Sequence, residues 1–201
     1  MKNGVQRREV REAILDATDR LLARYGYKKM TIDDLAADVG IGKGSIYLHF
    51  SSKEEIALSH IDRIIERMKR QLNAIAAEKE TSIEEKLRRM ILTRVLFRFD
   101  SVQHYTQSLN DLLAALRAKL LARREVYFQE EAGIIGALIE EGQRQGIFEK
   151  VDPTKTAEMF LLATNSLLPY SLSVKELGER SEIEEKTLRL ADLLLRGIKR
   201  F

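Results

Sequence analysis

Residues 40 to 53, GIGKGSIYLHFSSK, hold the densest set of potentially reactive side chains in this 201-residue chain. Lysine, serine, tyrosine and histidine lie here among three glycines, and no acidic residue occurs from Val39 to Ser52. Such a set could cradle a phosphate, form a catalytic cluster or contact a polyanion. The spacing of the residues decides among these three.

Nucleotide-binding motifs do not fit this segment. A P-loop needs a glycine five positions before a Gly-Lys pair and a serine or threonine after it. Here Ala37 stands at the upstream position and Gly44 follows Lys43. A dinucleotide fingerprint would need a third glycine at Ser45 and a preceding strand, whereas the preceding residues have a helical pattern. The glycines therefore have another purpose.

The sequence also lacks the patterns of a metal site and of a catalytic nucleophile. The chain has no cysteine, and its three histidines, at positions 49, 60 and 104, do not have the i, i+4 spacing that puts two imidazoles on one helical face. No nucleophile and base form a known signature. The sequence predicts no metal, no cofactor and no enzymatic activity.

Two short helices joined by a glycine-containing turn are typical of a helix-turn-helix. Thr31 can cap the first helix, with Asp34 completing a variant of the capping box, and Gly40 ends it. The second helix is predicted from about Lys43 to Phe50. Ile46 and Phe50 are i, i+4 partners, so we expect them to pack on the first helix, against Leu35, Ala36 and Val39.

The remaining rows of the second helix then face outward. A helix enters the major groove with its N-terminal residues nearest the base edges, which gives this role to Lys43, Gly44 and Ser45. Tyr47, His49 and Lys53 carry donors suited to phosphate oxygens. Alternatively, the glycines only mark turns and the aromatic residues belong to the core; we accept this for Phe50, whereas spacing favours DNA contact for Lys43, Tyr47 and His49.

Helical periodicity dominates the whole chain, and proline occurs only at 153 and 169, which predicts an all-α fold. Gly26 is expected to end a first helix whose apolar face contains Val10, Ile14, Ala17, Leu21 and Tyr25. Ser52 with Glu55 is expected to form a capping box for a long fourth helix. No leader-like or membrane-spanning apolar run is present, so we expect a cytoplasmic protein. Further helices are predicted over about 83–98, 102–116 and 118–142, from Pro153 onward, and after a polar loop SVKELGERS.

The segment from about Arg7 to Ile56, with MTIDDLAADVGIGKGSIYLHFSSKEEI at its centre, resembles the DNA-binding domain of the tetracycline-repressor-like (TetR) family of bacterial transcriptional regulators. The likeness covers about a quarter of the chain. It implies a DNA-binding domain over residues 1–53 and a helical effector-binding and dimerisation domain over 54–201. The DNA contacts that it implies are Thr31, Lys43, Gly44, Ser45, Tyr47, His49 and Lys53, with Leu48 at a variable position whose role is open.

The family resemblance further implies a repressor that binds a palindromic operator as a homodimer and is released by a small-molecule effector. Candidate effector contacts are polar or aromatic residues within apolar helices: Arg94, Phe97, His104, Tyr105, Tyr127, Asn165 and Tyr170. Candidate dimer contacts form apolar stripes on the last two long helices: Phe160, Thr164, Leu167, Leu168, Leu190, Leu194 and Ile198. The same stripes could instead face the core of the protomer.

Two other interpretations stay open at this point. One is a DNA-binding regulator that responds to a protein partner or to nothing. The other is an all-α enzyme or adaptor whose likeness to the family is coincidental.

Overall fold

A computed structural model describes residues 2–103, 108–168 and 174–200. Within these ranges the regular structure is helical, and the only β interaction is an isolated antiparallel bridge between Phe148 and Lys199. The predicted all-α fold is confirmed. The helices are α1 (Lys2–Lys29), α2 (Ile32–Val39), α3 (Lys43–Tyr47), α4 (Lys53–Ala76), α5 (Ile83–Gln103), α6 (Ser108–Arg144), α7 (Pro153–Asn165), α8 (Val174–Leu177) and α9 (Arg180–Arg196).

The described residues group into two compact units. Unit 1 comprises Met1–Ile65 and His104–Leu121, and unit 2 comprises Glu66–Gln103 and Ala122–Phe201. Helices α4 and α6 contribute residues to both units. The sequence analysis divided the chain by function, into a DNA-binding part over 1–53 and an effector-binding and dimerisation part over 54–201. That division remains a prediction.

The larger apolar cluster of unit 1 is shared by α1, α2 and α3, together with Ile56 of α4. From α1, Ile14, Ala17 and Leu21 are buried in it, as the periodicity predicts. Tyr25, which follows on the same row, is instead 42% exposed. The helix is interrupted one residue later, where Gly26 has a φ of 73° and a ψ of 166°. Tyr27, beyond the interruption, packs against the cluster.

The predicted cap of α2 is confirmed in full. The Asp34 amide donates to the Thr31 hydroxyl at 3.1 Å, and the Thr31 amide donates to the Asp34 carboxylate at 2.9 Å. Gly40 ends the helix in the left-handed conformation, at φ 76° and ψ 32°. Both ends of this eight-residue helix are therefore satisfied by local interactions.

Two local predictions around α3 need correction. The helix ends at Tyr47 and not at Phe50. Ser52 does cap α4, since its hydroxyl accepts from the Glu55 amide at 3.1 Å. However, the Glu55 carboxylate accepts from the backbone and hydroxyl of Ser51, not from Ser52, because the turn after the buried Phe50 presents the Ser51 amide to the first turn of α4.

Two helix boundaries in the rest of the chain also differ from the prediction. The expected helices over 102–116 and 118–142 form one helix, α6, which begins at Ser108 and continues to Arg144. Its early residues belong to unit 1, where Leu116 packs with Ala57 and Leu58, and its later residues belong to unit 2. The expected polar loop SVKELGERS contains the short helix α8.

Arg63 fixes the start of α4 against α1. Its side chain is only 10% exposed, and it donates to the Leu15 carbonyl at 2.8 Å and to the Asp16 carboxylate at 2.6 Å. A second carboxylate, that of Glu12, lies 3.3 Å from the same guanidinium. One planar donor group thus joins two helices of unit 1 through several hydrogen bonds.

Replacing Thr31 with alanine is expected to lower the free energy of unfolding by about 1 kcal/mol, because it removes the hydroxyl that caps α2. The Thr31→Ser variant keeps that hydroxyl and should retain most of the stability. Urea denaturation of both variants at neutral pH measures the difference.

The cap should also respond to acid. Hydrogen bonds from the side chain and then the backbone of Thr31 hold the pKa of Asp34 below its ordinary value. The stabilisation by the Asp34 carboxylate is therefore present above the ordinary pKa of aspartate and is lost as pH falls through the lower, folded-state pKa.

Equal urea midpoints for Thr31→Ala and the unmodified protein at neutral pH would contradict the capping role of the Thr31 hydroxyl.

Candidate nucleic-acid interface

The turn between α2 and α3 is set by two glycines and a short set of backbone bonds. The amide of Ile41 donates to the Ala36 carbonyl at 3.0 Å, across the left-handed Gly40. Gly42 is the N-cap of α3, and its carbonyl accepts from the Ser45 amide at 2.8 Å. A side chain at Gly40 would be strained by the positive φ, so this corner depends on glycine.

One face of α3 holds the helix on its neighbours. Ile46 is fully buried and Phe50 is 2% exposed, and both belong to the cluster that contains Leu35 and Ala36. The Phe50 amide donates to the Ile46 carbonyl at 3.0 Å, which closes the turn after α3. The Arg11 guanidinium of α1 lies over the Phe50 ring, 4.8 Å from its centre. The predicted inward pair is confirmed.

The opposite face of α3 is open to solvent. Lys43 and Gly44 are exposed, Tyr47 is 50% exposed and Leu48 is 70% exposed. A side-chain carbon added to Gly44 would meet no heavy atom of the described residues within 4 Å. Ser45 and His49 lie at the edges of this face and are half-buried. We call Lys43, Gly44, Ser45, Tyr47, Leu48 and His49 the outward face.

Lys43 is engaged with a carboxylate of the preceding helix. Its Nζ lies 2.8 Å from the Asp33 Oδ2, and this hydrogen bond raises the pKa of Lys43 above its ordinary value. Both side chains are more than half exposed. An exposed ion pair of this kind is weak and readily exchanged, so Lys43 remains a full positive charge that a stronger anion could attract.

Thr31 and Lys53 both have structural partners, and the sequence predicted only that of Thr31. The Thr31 hydroxyl donates to the Asp34 carboxylate at 2.7 Å while it accepts from the Asp34 amide. The Lys53 Nζ lies 4.6 Å from the centre of the Tyr27 ring and donates to the Lys28 carbonyl at 3.3 Å. Burial lowers the pKa of Lys53. Both residues lie beside the start of a helix and apart from the outward face.

Two arginines of α1 are part of this region and were missed by the sequence reasoning. Arg7 donates to the Leu48 carbonyl at 3.1 Å, at the end of α3. Burial first, and then the charges of Arg7 and Arg11, lower the pKa of His49 below its ordinary value, so the imidazole is neutral at pH 7. The signal was the basic run QRREVR at residues 6–11, but its distance from α3 along the chain hid the contact.

Two of the described candidates for effector contact, Arg94 and Asn165, belong to a polar network in unit 2. Arg94 is 4% exposed and its guanidinium bonds to the buried Glu131 carboxylate. Arg94 and Arg98 both donate to the Asn165 side-chain oxygen, at 3.1 Å and 2.6 Å. Phe97 and Tyr127 are half-buried. The other three candidates, His104, Tyr105 and Tyr170, lie outside the described residues.

The candidate dimer contacts mostly face inward. Phe160 and Ile198 belong to the main core cluster of unit 2, with Leu194 packed against it, and Thr164 is 1% exposed. Leu168 is buried in a second cluster with Leu167 against it, and Leu190 is half-buried. These side chains are largely unavailable to a partner because they complete the protomer's own core. The apolar side chains exposed on α7 and α9 are Met159, Leu162 and Leu193.

Neither a metal centre nor a membrane span is found in the described part of the chain. No group of three or more histidine, cysteine, aspartate or glutamate side chains there could hold a metal ion. None of the helices over the same residues is both long and apolar enough to cross a bilayer.

Comparison with known proteins identifies a family for this segment. Residues 14–59 match the family model described as bacterial regulatory proteins, tetR family. The matched range includes the whole outward face and the turn before it. A relative from Bacillus subtilis (strain 168), the uncharacterized HTH-type transcriptional regulator YvaF, is 23% identical over 185 residues, which cover 92% of this chain and 93% of that protein.

Solved structures show how far the fold extends. A transcriptional regulator from Cytophaga hutchinsonii ATCC 33406 has a TM-score of 0.77 at 22% identity, covering 94% of this chain and 98% of that chain. A TetR-family transcriptional regulator from Pectobacterium atrosepticum has a TM-score of 0.75 at 22% identity, covering 98% of this chain and 97% of that chain. The shared fold therefore includes nearly the entire chain.

The Lys43–Asp33 pair makes a prediction about binding to a polyanion. Asp33→Asn removes the carboxylate that holds Lys43, so affinity for duplex DNA should rise roughly twofold to fivefold at low salt. Fluorescence anisotropy with a labelled duplex measures the change.

Asp38→Asn is the matched control, because Asp38 lies on the same helix and pairs with Arg20 of α1 at 2.5 Å. Both variants lose one negative charge. An equal gain in affinity for the two would show a general effect of net charge and would contradict a specific release of Lys43.

Proposed function

We propose that this chain is a transcriptional regulator of the TetR family that acts as a repressor, binds a palindromic operator as a homodimer and is released by a small-molecule effector. The observation that carries the proposal is the outward face of α3. It is exposed while the opposite side of the same helix is anchored in the core by Ile46 and Phe50.

The size and composition of this face suit the major groove of DNA. Five helical residues extend for about 7.5 Å, less than the roughly 12 Å width of the groove. Lys43 lies in the first turn of α3, where it can donate to guanine acceptors, and Ser45 can donate to a base or a phosphate. The absence of a side chain at Gly44 lets the backbone come close to the DNA.

The flanks of the face suit the phosphate backbone. The Tyr47 hydroxyl and the neutral His49 imidazole are donors at its edges, and Arg7 adds a positive charge at the end of α3. The Asp33 carboxylate competes for Lys43 in the free protein, and a phosphate or a guanine edge replaces it on binding. Thr31 and Lys53 are additional contacts of this kind, at the starts of α2 and α4.

A dimer follows from the small size of the contact. One short helix contacts too few bases for tight specific binding, and two copies on successive turns of one DNA face would be spaced by about 34 Å. Met159 and Leu162 on α7 and Leu193 on α9 are 61%, 53% and 68% exposed. Exposed apolar side chains on two helices of unit 2 support a partner surface there. The candidate dimer contacts predicted from the sequence would then lie beneath this surface, in the core of the protomer.

The effector proposal depends on unit 2. A ligand that favours the form unable to bind DNA by 1 to 3 kcal/mol would lower operator affinity about 5- to 150-fold. Arg94, Asn165, Phe97 and Tyr127 offer the mixture of polar and aromatic groups that binds small molecules.

A second candidate function is a DNA-binding regulator without a small-molecule inducer. The polar network favours this function, because the Arg94 guanidinium already donates hydrogen bonds to Glu131 and Asn165 without a ligand. In addition, an open groove of about 430 Å³ lined by charged residues such as Lys69, Arg70 and Glu130 contains none of the candidate effector contacts.

Selection of bound duplexes from a random pool tests the DNA-binding proposal. We expect a palindrome whose half-sites are centred about one helical turn apart. Tyr47→Ala and Lys43→Ala should each weaken binding of that duplex at least about tenfold in a gel-retardation assay, the loss of one or two contacts worth about 1.4 kcal/mol or more. Binding should also fall steeply with salt, because phosphate contacts release counterions.

The matched control is Tyr25→Ala, which removes a tyrosine of similar exposure from α1. It should bind the duplex as the unmodified protein does. Unchanged binding by both Tyr47→Ala and Lys43→Ala would contradict the assignment of α3.

Gly44→Ala separates folding from DNA binding. Alanine favours a helix over glycine by roughly 0.5–1 kcal/mol, and the added carbon would meet no described atom within 4 Å. The variant should therefore be at least as stable as the unmodified protein in urea, yet bind the operator more weakly because the methyl group holds the DNA away. A stable variant with full affinity would contradict close approach at Gly44.

The effector is tested with the small-molecule extract of the host cell. Addition of the extract should release the duplex from the unmodified protein, and Asn165→Ala should reduce that response while leaving DNA binding intact. If the extract releases the duplex from neither protein, the result would favour a regulator without a small-molecule inducer.

A further inference from the structure

Leu48 is the one residue of the outward face whose side chain has no polar group and no place in the core. It is 70% exposed, the highest exposure among the large hydrophobic residues of the described chain. Its backbone keeps the helical conformation, at φ −69° and ψ −19°. The Arg7 guanidinium binds its carbonyl at 3.1 Å, which holds the end of α3 in place from α1.

Helical geometry puts Leu48 at the centre of the outward face. At about 100° per residue, its direction is roughly opposite the mean direction of Ile46 and Phe50, the pair that faces the core. Gly44 lies one turn earlier on the same row. Because helical side chains lean toward the N-terminus, the Leu48 side chain lies over the space that Gly44 leaves open. A small apolar group could therefore fit into the space over Gly44 and contact the Leu48 side chain.

The edges of the base pairs offer one such group. In the major groove the bases present hydrogen-bond donors and acceptors, and the C5 methyl of thymine is the only apolar feature. Leucine cannot donate to a phosphate or to guanine, so a contact with those groups would leave them without a partner. Lys43 and Tyr47, on the neighbouring row, offer donors to the polar groups on either side.

We propose that Leu48 contacts the methyl group of a thymine in the major groove, and that this contact makes one position of each half-site selective for thymine. The inference rests on the proposed DNA-binding function of α3. It assigns to Leu48 a role in specificity for thymine, in addition to the guanine contact proposed for Lys43 and the phosphate contacts proposed for Tyr47 and His49.

Deoxyuridine provides a direct test, since it differs from thymidine only by the missing methyl group. Each thymine in the half-sites of the selected duplex is replaced in turn, and the dissociation constants are measured by fluorescence anisotropy. At one position in each half-site the replacement should weaken binding about fourfold, the effect of one methyl group lost from an apolar contact. Leu48→Ala should bind the thymine duplex more weakly and should not distinguish thymine from uracil at that position.

Leu121→Ala is the matched control, because Leu121 is also a leucine of unit 1 and is 49% exposed. It should retain the full difference between thymine and uracil. Urea denaturation should give Leu48→Ala the stability of the unmodified protein, since the side chain makes little contact with the core.

Three results would overturn the inference. The first is equal affinity of the unmodified protein for every thymine duplex and its uracil counterpart. The second is a Leu48→Ala variant that still distinguishes the two bases to the same extent. The third is a selected half-site without thymine. Failure of the protein to enrich any duplex would instead refute DNA binding by α3, and this inference with it.

Discussion

The burial of Ile46 and Phe50 is the interaction on which the proposed DNA-binding surface depends. A five-residue helix has no stability of its own in water, because isolated helices shorter than about 12 residues are marginal. Burying two large apolar side chains contributes roughly 1.5–3 kcal/mol each, and both are buried here against α1 and α2. The helix therefore exists because its inner face is held, and the same anchoring fixes which residues face outward.

The polar surroundings of α3 follow from that anchoring. Lys43 faces the exposed Asp33 because α2 and α3 are held at the angle that the Gly40 turn imposes. Arg7 reaches the end of α3 because α1 packs against the same cluster. The outward face thus combines free apolar surface at Leu48, an exchangeable cation at Lys43 and a neutral imidazole at His49. In the proposed function these groups would meet different parts of a DNA duplex, namely base methyl groups, base acceptors and phosphates.

Unit 2 is organised by a buried ion pair as well as by apolar packing. Arg94 of α5 and Glu131 of α6 are each about 4% exposed, and Thr164 and Asn165 of α7 accept from the same guanidinium. Removing one member of such a pair typically costs about 3–5 kcal/mol, because a charge is left buried without a partner. The network therefore fixes three helices in one register. Any molecule bound among these residues would have to replace hydrogen bonds that they already make.

The sequence by itself determined the features that depend on neighbours along the chain. The cap at Thr31, the turn at Gly40 and the inward pair on α3 all follow from interactions over one to four residues. Only the tertiary structure decided where an apolar stripe packs. From the sequence, Phe160 and Ile198 could face either a partner or the core of the protomer, and in the structure they belong to that core. The continuity of α6, the contact of Arg7 with Leu48 and the pairing of Arg94 with Glu131 join residues far apart in the chain. Periodicity reports which residues share a face of a helix, but it does not report which surface that face meets.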